Sequence, residues 1–516
     1  MMWTFILFAG CNTSPQEQTT GTTPQPTDQN IQNNPNNNRH NQQARGPHNN
    51  NRPQHNNRKN HNQPRGNMLG SSAAEDLRSS WKSTFAVDVP REKSKQECPD
   101  KDKDGFVDAT ACPWNPVEKL DCDDTDPNVT PKTEIWVPPG PFIMGSNSTH
   151  AGADEKPTHV VQLSGYCLDK YEVTTQQWST WLIDNNRTPQ GADIRGIDNQ
   201  GNALASRKEF PAEGVVWSEA NDYCLSLGKS LPTEAQWEKA ARGGCELGDD
   251  KNKCDKSDLR AYPWGSQQPS CQLANHQLSI QFPPKICVSD TVTNTTTKNG
   301  ASPYGHMHLA GNVWEFVLDY WHPKVYASST TRKDPKGPKA GEIHVLKGGS
   351  WNTFSTNMRV ANRFHDLVMG SAAGFRCARP TVEAVYDQID PLQLTTISGQ
   401  IDGSQLGKLT GRAIYVTAFD AADADSTGRL VPGRSPVAEI RLSPNNLTTQ
   451  DFTLEVPISG KYLVSAAIDN GSGGQKEKYI SASGSGGFGN ADQNPITVNS
   501  AQSGITISIA PAPPAP

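Results

Sequence analysis

The chain predicts an α+β fold: an irregular central domain of short helices and strands, an all-β sandwich on its C-terminal side and a disordered tether on its N-terminal side. Three observations carry this reading. Between Thr174 and Gly243 apolar residues recur at helical spacing behind side chains that cap helix N-termini. After Pro380 the pattern changes to short apolar or alternating runs separated by Gly, Pro, Asn and Asp, as strands and turns require. From Asn12 to about Gly70 there is almost no apolar residue, and such a segment buries too little surface to offset the entropy of ordering it. At 516 residues the chain has room for about three domains.

Composition excludes some classes. The 48 Lys and Arg against 54 Asp and Glu give a net charge of -6, without the basic excess of a nucleic-acid binder, so no nucleic-acid partner is expected. No run of 18 or more apolar residues exists, so no membrane-spanning helix is expected. The N-terminus, MMWTFILFAGC, resembles a bacterial lipoprotein signal in which cleavage before Cys11 leaves that cysteine lipid-modified. Residues 1–11 then form the signal and 12–90 an Asn/Gln/Pro-rich linker holding the protein, by its lipid, to a membrane of the cell envelope, on its periplasmic or outer surface. The linker is basic, through Arg39, Arg45, Arg52, Arg58, Lys59 and Arg65, and carries His40, His48, His55 and His61.

Residues 98–131 read CPDKDKDGFVDATACPWNPVEKLDCDDTDPNVTP. Asp100, Asp102 and Asp104 alternate, Gly105 follows, and Asp108 stands ninth in a loop that matches the opening of a calcium loop. Ala111 occupies the twelfth place, where an EF-hand carries glutamate. A second cluster, Asp121, Asp123, Asp124 and Asp126, is placed to complete the coordination. The arrangement resembles the Asp-rich repeats of extracellular proteins such as thrombospondin type 3 repeats. So many carboxylates repel one another unless a hard cation with oxygen ligands neutralises them, so calcium is the expected cofactor.

The central domain, 134–380, opens with EIWVPPGPFIMGS, a short strand and a tight reversal at Pro-Pro-Gly, and HVVQLSGYCLDKYEVT from His159 reads as a second strand. Thr174 with Gln177 forms a capping box, and Trp178, Trp181 and Leu182 share one face of the helix it starts. A second helix is expected from Glu219, capped by Ser218, burying Ala220, Tyr223, Cys224 and Leu227 and stopped by Gly228. Thr233 with Gln236 caps a third, with Trp237, Ala240 and Ala241 facing inward and Gly243 ending it.

LPTEAQWEKAARGG at Leu231, GNVWEF at Gly311 and KGGSWNTFSTNMRVANRFHDLVMGSAAGFRCAR from Lys347 occur in an order that resembles the formylglycine-generating enzyme, or sulfatase-modifying factor, family. The resemblance covers Trp136 to Pro380. It implies a C-type-lectin-like domain with little regular secondary structure and a surface groove for an extended peptide. Family activity needs two cysteines shortly after GGSW that bind copper; here the first position is Thr353 and the second is Ser355 or Met358. A hydroxyl or a thioether does not replace two thiolates on soft copper(I), so no catalytic residue and no copper are expected. The resemblance also implies a calcium ion held at Gly311, Val313 and Glu315, a groove near Trp314, Ser350, Trp351 and Arg363, and a disulfide from Cys224 to Cys377. A further family disulfide falls on Ala241 and Val360 and is absent. His306, His308 and His365 lack a recognised ligand spacing and are assigned no metal.

Eleven cysteines, with Cys11 lipidated, leave ten, an even number suited to disulfides outside the cytoplasm. Beyond the implied pair, Cys98, Cys112, Cys122, Cys167, Cys245, Cys254, Cys271 and Cys287 have no pairing readable from sequence. In residues 395–510, runs at 397–401, 413–419, 438–442, 452–456, 462–468, 496–498 and 505–509 predict a small antiparallel sandwich. Its pattern resembles transthyretin-like or carboxypeptidase-regulatory-like modules, and APAPPAP closes the chain as an extended tail. The functional expectation is an anchored binding module for a peptide or glycan; the alternative is an enzyme of the same family acting on protein substrates by a cysteine-independent chemistry.

Overall fold

The computed structural model describes residues 98–509, apart from 114, 192–193, 248–253, 255–259, 279–284, 295, 297, 329, 366–371, 391, 405–412, 425–435, 444–447, 469–486 and 491–494. The signal, Cys11, the linker and the closing tail lie outside the described residues.

Two residue pairs, β1 (Val107–Asp108) and β2 (Leu120–Asp121), align in parallel within the Asp-rich segment. The expected first strand and reversal become β3 (Glu134–Val137) and β4 (Gly140–Met144). The single strand expected from His159 is two, β5 (His159–Leu163) and β6 (Tyr166–Asp169), broken where Gly165 packs against the Trp136 ring. β4 and β5 pair with each other, whereas β6 joins β3.

Helix α1 (Thr175–Asp184) starts on the predicted capping box, with the Thr174 hydroxyl accepting from the Gln177 amide. Helix α2 (Trp217–Ser226) begins two residues before the expected Glu219, and Ser218 makes no cap. Instead the Trp217 indole donates to the Val317 carbonyl at 2.8 Å and the Glu219 carboxylate accepts the Gln190 amide at 2.7 Å, so long-range bonds settle this end. Leu227, expected on the buried face, is 49% exposed because it lies past the last turn, where Gly228 adopts a φ of 67°. Helix α3 (Glu234–Arg242) carries the second predicted box and ends at Gly243. Its nine residues are all buried, including Glu234, Glu238, Lys239 and Arg242, which a one-faced helix does not require.

The chain then forms β7 (Trp314–Tyr320), β8 (His344–Lys347), β9 (Phe364–His365), β10 (Ala373–Phe375) and β11 (Ala378–Pro380). Their order is β10-β7-β8-β9, and β11 joins β6 and β3. One apolar cluster gathers Trp237, Ala240 and Ala241 of α3 with β3 to β6; a second packs Trp178, Tyr223 and Cys224 against Trp314, Phe316 and Phe375. Regular structure is sparse, and helices this short depend on such packing.

The seven C-terminal runs all become strands: β12 (Leu394–Asp402), β13 (Ile414–Asp420), β14 (Ala438–Leu442), β15 (Thr449–Pro457), β16 (Gly460–Ile468), β18 (Ile496–Val498) and β19 (Gln502–Ser508). An eighth, β17 (Gly487–Asn490), pairs with β16. One sheet runs β15-β12-β19 and the other β14-β13-β16-β17 with β18 on β16, and both contribute to one apolar cluster. The expectation of purely antiparallel pairing is corrected at β12 and β19, which are parallel. Among the described residues no helix is long and apolar enough to cross a membrane.

Candidate functional site

In the loop that bears the family's cysteine positions, Gly348 and Gly349 adopt φ values of 90° and 75°, turning the chain out of β8. A Cβ on Gly349 would lie 2.9 Å from Met358 Cγ, so glycine is needed there for space as well as for φ. The Thr353 hydroxyl accepts the Ser350 amide at 2.8 Å and donates to the Ser350 carbonyl at 3.0 Å. It is committed to its own turn. The Thr353 carbonyl accepts the Gln277 amide at 3.0 Å, Ser355 opens a 3-10 turn, and Met358 is fully buried among Tyr262, Ala274 and Ala310.

The four expected groove residues are all buried. Trp314 stacks on Phe364, with ring centroids 4.6 Å apart, and the Ser350 hydroxyl donates to Asn352 at 2.7 Å. The Trp351 indole donates to Glu213 at 3.2 Å, and Arg207 and Arg195 flank that carboxylate at 3.5 and 3.9 Å. Burial nevertheless raises the Glu213 carboxyl, with Arg195 and the Trp351 bond opposing it. Arg363 grips Glu234 with two bonds, 2.8 and 3.0 Å.

GNVWE and GFRCAR meet. Gly311 has a φ of 77°, its amide reaches the Gly348 carbonyl at 2.9 Å, and a Cβ there would lie 2.3 Å from the Asn275 carbonyl oxygen. Val313 is fully buried. Both Glu315 oxygens are engaged: Arg376 reaches them at 2.7 and 2.8 Å, and the Trp237 indole adds a third bond at 2.8 Å. The remaining Arg376 N–H groups go to the carbonyls of Asp169, Lys170 and Met307. Burial works against the Arg376 charge, but Glu315 more than offsets it, and the guanidinium's affinity for its proton rises. This motif therefore builds a buried ion pair, with the Glu315 side chain turned to Arg376. His308 faces Glu172 at 3.2 Å, His306 is buried beside Ser302, and His365 packs on Trp321.

In the Asp-rich segment several carboxylates converge, each with one oxygen left without a hydrogen bond. Carboxylate oxygens of Asp100, Asp102 and Asp124, and of Asp102, Asp104 and Asp121, lie within 4.8 Å of one another in two groups sharing Asp102. Asp102, Asp104, Asp121 and Asp124 each accept a backbone amide on one oxygen, at 2.8 to 3.2 Å. The other oxygen of each, and Oδ1 of Asp100, is buried without a hydrogen-bond partner; Lys101 Nζ lies 3.3 Å from Asp124 Oδ2. Burial pushes the Asp121 carboxyl up to about 6, and Asp104, Asp102 and Asp124 add to the rise. The three other aspartates of the predicted set point elsewhere. Asp108 caps Thr110 and Ala111, Asp123 pairs with Arg379 at 3.1 Å, and Asp126 bonds Asn128. An all-oxygen donor set this dense suits a hard cation.

Ten cysteines form five disulfides, Cys98–Cys112, Cys122–Cys167, Cys224–Cys377, Cys245–Cys254 and Cys271–Cys287. Cys224–Cys377 is the pair the resemblance implied. Sequence reasoning missed the buried charges of α3. Lys347 lies 3.2 Å from Glu238, Arg242 2.8 Å from Glu238, and Lys239 donates to the Pro138 and Gly140 carbonyls. The signal was Glu234 and Glu238 one turn apart, with no solvent face left for them.

A mixed helix-and-strand domain, stapled by disulfides and cored by ion pairs, is the class these features define. Residues 122–381 match the Sulfatase-modifying factor enzyme 1-like domain, and the chain belongs to that family. It is similar to the formylglycine-generating enzyme of Thermomonospora curvata, 31% identical over 301 residues, or 49% of this chain and 95% of that protein. Hercynine oxygenase of Mycolicibacterium smegmatis is 28% identical over 249 residues, 42% of this chain and 54% of that protein. Among solved structures, PvdO from Pseudomonas aeruginosa shares 21% identity over 48% of this chain and 94% of its own, with a TM-score of 0.35.

Proposed function

We propose that the protein is an envelope-anchored lipoprotein whose family domain binds a peptide or glycan and catalyses no oxidation. The observation that carries this is the thiol inventory. Among the described residues every cysteine is in a disulfide, and the family's cysteine positions hold a hydroxyl bonded within its own turn and either Ser355 or the buried Met358. Copper(I) finds no thiolate there. Anchoring rests on MMWTFILFAGC with Cys11 as the lipidated residue.

Calcium is the metal this reading assigns, held by Asp100, Asp102, Asp104, Asp121 and Asp124, whose orphaned oxygens supply a hard-ligand set. The ion would relieve their repulsion and fix 98–131 onto the family domain, 134–380. Residues 395–510 form a transthyretin-like or carboxypeptidase-regulatory-like module in this reading, an attachment rather than a catalyst. The similarity to a relative named an oxygenase supports a second reading, an enzyme with cysteine-independent chemistry.

Elemental analysis of the purified full chain, before and after incubation with copper(I), separates the two. Bound calcium without stoichiometric copper or another redox metal is the expected result. Stoichiometric copper or iron would overturn the non-catalytic reading.

A further inference from the structure

Four of the five disulfides have at least one half sealed in the interior, since Cys112, Cys167, Cys224, Cys245 and Cys377 are all buried. Cys271–Cys287 is the exception: Cys271 is exposed and Cys287 half-buried. A sealed bridge is chemically inert, whereas an exposed one is open to attack.

Behind this bridge stands a histidine. His276, 1% exposed, places Nδ1 3.1 Å from the Ala274 carbonyl oxygen and 3.6 Å from Cys287 Sγ. A carbonyl only accepts, so the bond to Ala274 puts the proton on Nδ1, and the same N–H faces the sulfur. Burial lowers the affinity of the imidazole for a second proton, with the Ala274 bond opposing, so the ring meets the sulfur as a neutral donor. Main-chain bonds hold the two residues together. The Cys287 amide donates to the His276 carbonyl at 2.9 Å, the Val288 amide to Asn275 Oδ1 at 3.1 Å, and the Asn312 amide to the Asn275 carbonyl at 3.0 Å. None of these bonds passes through Cys271.

The two sulfurs are thus unequal. Thiol–disulfide exchange favours attack at the sulfur a thiolate can reach and departure of the sulfur better stabilised as a thiolate. Cys271 is the accessible one, and Cys287 has the hydrogen-bond donor. We propose that Cys271–Cys287 is a thiol-capture site, at which the thiolate of a small molecule or short peptide forms a mixed disulfide with Cys271 and releases Cys287 as a thiolate bonded to His276. The incoming sulfur gives an electron pair to the new bond with Cys271, and the pair of the broken Cys271–Cys287 bond stays on Cys287. One disulfide replaces another, and no oxidant is consumed. The Gln277 amide, next to His276, binds the Thr353 carbonyl at 3.0 Å, so the capture site adjoins the turn that carries the family's cysteine positions. It does not depend on the reading of the family domain as a binding module.

The test incubates the full chain with reduced glutathione or with acetyl-Gly-Cys-Gly-amide, quenches with N-ethylmaleimide at acid pH and maps each cysteine by mass spectrometry. The expected result is the adduct on Cys271 and the maleimide on Cys287, with the other four disulfides intact. Faster addition of glutathione would mark a small thiol as the partner, and faster addition of the peptide a peptide thiol. His276→Leu should slow capture about fivefold or more, with thermal unfolding confirming that the variant is folded. In Cys271→Ser the freed Cys287 thiol, followed by its alkylation rate against pH, should titrate below the ordinary value of about 8.5 and return toward it when His276→Leu is added. A packing role for His276 would not move that titration. The proposal is overturned by no adduct on Cys271, by addition to Cys287 instead, by equally fast opening of the other disulfides, or by an ordinary or raised Cys287 titration in folded Cys271→Ser.

Discussion

From Asp451 to Val456 in β15 the side chains alternate: Phe452, Leu454 and Val456 enter the apolar cluster of the C-terminal sheets while Asp451, Thr453 and Glu455 face water. In α3 nothing faces water, and two glutamates, a lysine and an arginine share the interior with Trp237. The C-terminal strands exclude water with hydrocarbon alone, whereas the central domain sets buried ion pairs and disulfides among its apolar clusters. An apolar core degrades in proportion to what is removed. A core of ion pairs tolerates no single deletion, because the partner remains buried and charged.

The largest effect expected is therefore at Glu315 and Arg376. Arg376→Leu should cost about 3–5 kcal/mol in urea unfolding, or prevent folding, by stranding Glu315. Leu454→Ala, the matching lesion in the C-terminal strands, should cost about 2–5 kcal/mol with the central domain unaffected. Loss of central-domain structure on Leu454→Ala, seen in near-ultraviolet dichroism, would break the comparison.

Titration sharpens it next. Burial pulls the His159 imidazole down to about 4, against an ordinary value of 6.5, so between those values the unfolded chain binds a proton that the native one does not. The stability this site contributes is complete above pH 6.5 and falls as pH drops toward 4, by roughly 3 kcal/mol. The raised carboxyl of Asp154 has the opposite sign, gaining stability as pH falls below about 7. The difference in unfolding free energy between wild type and His159→Gln, followed from pH 7 to 4.5, isolates the histidine. A pH-independent difference would count against it.

The smallest effect belongs to an exposed pair. Arg187 and Asp222 lie 2.7 Å apart with side chains about two-fifths exposed, and Arg187→Ala should shift stability by no more than about 1 kcal/mol. A loss rivalling that of Arg376→Leu would show that burial is not what separates strong pairs from weak ones here.

Much of the architecture was legible from short spacings. Both capping boxes, the stops at Gly228 and Gly243 and the seven C-terminal runs became the elements they predicted, because each depends on residues within a few positions. The start of α2 was not, since the Trp217 indole finds its acceptor 100 residues away. In the Asp-rich segment, alternation pointed to Asp100, Asp102 and Asp104. Spacing did not say that Asp121 and Asp124 would join them while Asp108, Asp123 and Asp126 turned to local amides and Arg379.

The sequence by itself determined the family, the helix caps, the strand runs and the replacement of both cysteine positions. Each is a property of residue identity or of neighbours in the chain. Only the tertiary structure decided that Glu315 would face Arg376, 61 residues on, and that Glu155 would hold Arg359 across 204. It also decided that Asp154 would share a cleft with Asp423 of another module. A buried charge takes whichever partner the fold brings within bonding distance, and no local pattern records that distance.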